Sequence, residues 1–179
     1  MSPNEQTALE DVAGRALLVD EMAVLGPLVE VRNDVAIATL LSVGRTRLVS
    51  RTITARGVRG ALSIPDAMRF LNLLRDTAES AGVPDWLINV LATTTEVAVA
   101  DYPAYRDTFA CAHDWLQQAA GLDLGDPTTR AGLDLIAASD QEKFGATVAT
   151  LKALAEHHDP IPFDRVSAAL NKAQGLMTL

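Results

Sequence analysis

Residues 25–60 read LGPLVEVRNDVAIATLLSVGRTRLVSRTITARGVRG, and the fold turns on how they are interpreted. Gly26-Pro27 predicts the end of a preceding helix, because proline cannot continue the hydrogen-bond ladder. The apolar block over 28–41 admits two readings. In one, Asn33 caps a short helix with Ile37, Leu40 and Leu41 inward and Gly44 as its stop. In the other, Asn33-Asp34 is the turn between strands at 28–32 and 35–41. The helix is preferred, since Ala36, Ala38, Leu40 and Leu41 are poor strand residues. The stretch 46–56, with Val49, Ile53 and several threonines, is the strongest strand candidate.

Upstream, Leu9, Val12, Ala16, Val19 and Ala23 recur at spacings of three and four, which predicts one helix over 4–25 with a single apolar stripe. Downstream, helix starts follow one another. Ser63-Ile64-Pro65-Asp66 carries a serine cap and an early proline, Asp126-Pro127 opens another segment, and Ser139 with Glu142 forms a capping box. Asp101 caps a helix with Tyr105, Phe109, Ala112 and Leu116 inward, and Thr93-Thr94-Thr95 marks a weak point before it. The expected fold is mostly α: a single-domain bundle of about seven helices with one short strand or extended arm near 46–56. Within one domain spanning 1–179, residues 1–60 supply a lead-in helix plus a docking arm, and 61–179 the helical core.

Hydrophobic residues make up 49% of the chain but aromatics only 4%, so the core must be built from Ala, Leu, Val and Ile. The net charge of −8 argues against nucleic acid as a partner, because phosphate binding needs a basic footprint. The single cysteine, Cys111, excludes an intrachain disulfide. No apolar run is long enough for a membrane span, and the polar, acidic first residues are unlike a signal peptide.

No catalytic, cofactor-binding or metal-binding residues are expected. Cys111 and His113 are two apart and would splay on a helix, as would His157 and His158 at an expected helix C-terminus. Cys111 reads as a small buried hydrophobe. The chain holds no G-x-S-x-G, P-loop or G-x-G-x-x-G. Glu10-Asp11 and Asp20-Glu21 read as the solvated face of the first helix. What rises above this background is the run Arg45, Arg47, Arg51, Arg56 and Arg59, in a stretch with no acidic residue between Asp34 and Asp66. It reads as a charged edge strand or as a docking arm whose guanidinium forks pair with a neighbour's carboxylates, with nucleic-acid contact as the remaining reading.

GPLVEVRNDVAIATLLS at 26–42, LDLGDPTTRAGLDLIAASD at 122–140 and IPFDRVSAAL at 161–170 stand in the same order as three blocks of a group of small structural-module proteins of tailed bacteriophages, which this chain resembles. Ser42 stands where that group has asparagine, and residues 84–121 have no counterpart in it. The resemblance implies a non-enzymatic virion structural or assembly component in a capsid, neck or tail, formed in the host cytoplasm. Its partners would be other virion proteins and copies of itself. A phage-encoded regulatory binding module acting on a host protein is the alternative expectation.

Overall fold

The structure, a computed structural model, describes residues 1–94 and 97–176. Its elements in order are α1 (Pro3–Ala13), α2 (Val19–Glu30), α3 (Asp34–Leu41), β1 (Thr46–Leu48), β2 (Thr52–Ile53), α4 (Ala55–Ala61), α5 (Ile64–Glu79), α6 (Asp85–Thr94), α7 (Tyr102–Gln117), β3 (Leu122–Asp123), α8 (Pro127–Ser139), α9 (Gln141–Ala153), β4 (Glu156–His158) and α10 (Phe163–Ala173). A single 3₁₀ turn, Val99–Asp101, leads directly into α7. The protein is mostly helical, but ten α-helices stand among the described residues where about seven were expected.

Local chemistry accounts for the difference. The expected helix over 4–25 breaks at Gly14, whose φ of 70° places it in the left-handed region as the C-cap of α1, with its N–H bonded to Glu10 O. Gly26-Pro27 lies inside α2 and does not end the lead-in helix. A proline there removes only its own bond to the carbonyl four residues back, and Val31 N–H closes the next turn onto Pro27 O at 3.2 Å. The 28–41 block follows the helical reading: the Asn33 side chain caps α3 by accepting from Ala36 N–H at 3.1 Å. The strand expected over 46–56 is confined to β1 and β2. Thr54 then caps α4, which buries Ala55 and Val58. Asp140, not Ser139, caps α9, because α8 runs through Ser139. Part of the weak point at Thr93-Thr94-Thr95 lies outside the described residues.

The chain forms two compact units, Met1–Arg47 with His158–Leu179, and Leu48–His157. In the first, Leu9, Val12, Leu25, Ile37, Leu41, Val166 and Leu170 form one buried core drawn from α1, α2, α3 and α10. Arg32 adopts φ 55°, a strained conformation for a non-glycine residue. Its guanidinium holds the turn in place, donating to Asn171 Oδ1 at 2.8 Å and Gln174 Oε1 at 2.7 Å on and after α10. Ser42, buried at 5% exposure, accepts from Ile161 N–H at 2.8 Å and so fixes the connector that precedes α10.

In the second unit, Phe70, Leu74, Leu87, Leu91, Phe109, Leu116, Ile136 and Leu151 belong to a separate core. Trp86 meets Phe109 edge to face at 5.3 Å and donates its indole N–H to Thr77 at 3.1 Å. Arg106 reaches from α7 to the free carbonyls at the end of α5, donating to Ala78 O at 2.9 Å and Ser80 O at 2.7 Å, which satisfies acceptors a helix end leaves open. In this unit β2 pairs antiparallel with β3, with Ile53 opposite Leu122.

Candidate functional site

The five arginines are not equivalent. Arg45 is half-buried and engaged within its own unit: it donates to Ala13 O at 2.6 Å and pairs with Asp159 Oδ2 at 3.0 Å. Arg47 on β1, Arg51 in the β1–β2 link, and Arg56 and Arg59 on α4 are exposed. Their side chains have no hydrogen bond or ion pair among the described residues. On α4 this follows from spacing, because Ala55 and Val58 take the buried face and Arg56 and Arg59 follow them by one position. The segment is also no free arm. Arg51 donates its backbone N–H to Asp123 Oδ1 at 2.8 Å and accepts Leu124 N–H at 2.9 Å.

Of the four acids singled out in the sequence, Glu10, Asp11, Asp20 and Glu21, two are engaged. Glu21 takes two hydrogen bonds from Arg15, at 2.6 and 2.7 Å, and one from Leu18 N–H at 2.9 Å. The Arg15 bonds chiefly, then the Leu18 bond, hold its pKa down to about 2. Glu10 accepts from Gln6 and Leu17 N–H, which lower its pKa in that order. Asp11 and Asp20 remain exposed.

The first unit carries exposed apolar side chains. Six exposed large hydrophobics fall between Leu18 and Val43, with Val31 at 71% and Val43 at 72% exposure. Val35, Val43 and Phe163 rim a shallow cleft of about 490 Å³ between α3 and the connector Pro160-Ile161-Pro162.

A second concavity of about 490 Å³ lies within the other unit, between α7 and α8. Phe109, Trp115, Leu133 and Ile136 wall it, and the loop carrying Asp123 and Asp126 closes one side. That loop is tightly built. Asp123 accepts from the Ser50 hydroxyl at 2.7 Å, Arg51 N–H at 2.8 Å and Gly125 N–H at 2.9 Å, and these bonds lower its pKa, Ser50 contributing most. Gly125 is required there, since a Cβ would meet Val49 O at 2.2 Å. The sequence reading missed this groove. Its one signal was Gly132, a helix-breaking residue in the middle of α8, where a Cβ would meet the Phe109 ring at 3.6 Å.

Cys111 is exposed, contrary to expectation. It follows Phe109 by two positions on α7, which turns it away from the buried face of Tyr102, Phe109 and Leu116. His157 and His158 lie in β4 and not at a helix terminus. Among the described residues no group of three His, Cys, Asp or Glu side chains could hold a metal ion, and no helix is long and apolar enough to cross a membrane. No protein-family model, curated protein or solved structure matches the chain.

Proposed function

We propose that this chain is a non-enzymatic virion component of a tailed bacteriophage, working through protein–protein contacts with other virion proteins and with copies of itself. The observation that carries the docking reading is four exposed arginines, Arg47, Arg51, Arg56 and Arg59, without partners among the described residues of a chain of net charge −8. The exposed aliphatic surface at Val31, Val35 and Val43 adds to it. Guanidinium groups desolvated against carboxylates at an interface bind strongly, whereas the same groups at a wet rim contribute about 0–1 kcal/mol. The matching acidic surface belongs to a neighbouring virion protein or to another copy, where Asp11 and Asp20 are exposed. The phage assignment rests on the three sequence blocks described above.

Mass spectrometry of purified particles of the encoding phage tests the assignment. Stoichiometric recovery of the chain from particles supports it. Recovery only from the soluble lysate, bound to a host protein, would replace it with the regulatory reading.

A further inference from the structure

The groove between α7 and α8 has a chemistry independent of the docking reading. Its walls are apolar and aromatic, and its volume of about 490 Å³ falls in the range of small-ligand sites. Among the described residues its only charged lining groups are Asp123 and Asp126. Neither forms an ion pair with an arginine or lysine. Arg130, which follows them on α8, is turned to Lys152 O and the Glu156 carboxylate instead.

The two carboxylates differ in their freedom. Asp123 is saturated by the Ser50, Arg51 and Gly125 donors and is held ionised. Asp126 commits Oδ1 to the N-terminus of α8, accepting from Thr129 N–H at 2.9 Å, while its Oδ2 accepts from no described residue. The groove therefore presents two carboxylates without a cationic partner among the described residues beside aromatic faces, with Trp115 49% exposed at its edge. Aromatic faces attract cations and carboxylates repel anions.

We infer that this groove binds a small amphipathic organic cation, with an aromatic or branched aliphatic body between Phe109, Trp115 and Ile136 and an ammonium group at Asp126 Oδ2. An anionic ligand of the same shape is rejected, because bringing its charge to the two aspartates is unfavourable. A neutral alcohol keeps the apolar contacts and loses the charge attraction.

The test is a titration of isotope-labelled full-length protein with 4-phenylbutylamine, 4-phenylbutanol and 4-phenylbutanoate, followed by amide shifts of Gly121, Thr129 and Gly132 and the Trp115 indole N–H. The amine is expected to bind roughly tenfold more tightly than the alcohol, a preference of about one decade in Kd, and the butanoate to leave the spectrum unchanged. Asp126→Asn keeps a side-chain oxygen for the helix cap and should reduce the amine to the affinity of the alcohol. Gly132→Leu, which projects into the groove, should abolish all shifts. The inference is overturned if the three probes bind alike, if none shifts these resonances, or if Asp126→Asn keeps the preference for the amine. It is equally overturned if only an Arg- or Lys-bearing peptide, and no free amine, occupies the groove.

Discussion

The backbone N–H of Arg51 donates to the Asp123 carboxylate at 2.8 Å, although the two residues lie far apart in the chain. With the Ser50 hydroxyl bond to Asp123 and the Leu124 N–H bond to Arg51 O, it joins the arginine-rich segment to the loop that borders the α7–α8 groove. These bonds explain why the segment is ordered as a β2–β3 ribbon while the guanidinium groups of Arg51, Arg56 and Arg59 stay exposed. Backbone polar groups make the tertiary attachments, and side-chain charges are left for solvent or a partner.

Removing the Asp123 carboxylate orphans three donors at once: Ser50 Oγ, Arg51 N–H and Gly125 N–H. Asp123→Ala should cost about 1–3 kcal/mol, as lost hydrogen bonds at a half-buried site do. Asp123→Asn retains an acceptor and should cost less. Urea denaturation of both variants checks the order, and equal midpoints for wild type and Asp123→Ala would contradict it.

Two glycines should respond differently to alanine. At Gly14 a Cβ has open space, so the penalty is only that of a left-handed φ, about 1 kcal/mol. At Gly125 a Cβ would stand 2.2 Å from the Val49 carbonyl oxygen, and backbone has no rotamer by which to yield. Gly125→Ala should therefore cost about 3 kcal/mol or more. Comparable thermal midpoints for the two variants would show that the loop gives way more easily than its packing implies.

The arginines separate by partner. The triple substitution Arg47→Ser, Arg51→Ser and Arg56→Ser removes only exposed groups, so stability should stay within about 0.5 kcal/mol while incorporation into particles falls. Arg45→Ser breaks the contacts to Ala13 O and Asp159 and should destabilise the isolated chain by about 1–2 kcal/mol. Normal incorporation of the triple variant would remove the docking role.

Acid should loosen the α1–α2 junction. Glu21 has its pKa depressed from 4.5 to about 2, so the stability it contributes is complete above pH 4.5 and is lost as pH falls from there towards 2. Arg15 is 41% exposed in the pair, and screening limits the effect to about 1 kcal/mol. Urea midpoints of wild type and Glu21→Gln measured between pH 5 and pH 2.5 should converge on acidification. Parallel curves would mean that the pair contributes nothing.

Much of the local structure was legible in the sequence. Asn33, Ser63 and Asp126 each cap the helix that their spacing to the following residues predicts, because capping needs only a short oxygen and the next turn's N–H groups. The helical class followed from those caps and from apolar residues at three- and four-residue spacing. The strand content of 46–56 was legible only in part, since β2 exists by pairing with β3, about seventy positions away.

What sequence determined by itself was the helix starts at Asn33, Ser63 and Asp126, the arginine run and the shortage of aromatic residues, each a property of near neighbours. The tertiary structure decided the rest. It placed α10 in one core with α1 and α3, it buried Ser42 against Ile161 N–H, and it tied up Arg45 while leaving Arg47 free. It also opened a groove at Gly132 beside Phe109. Apart from Gly132 itself, none of these has a local signature, because which of two like residues finds a partner depends on contacts that close only when distant segments pack.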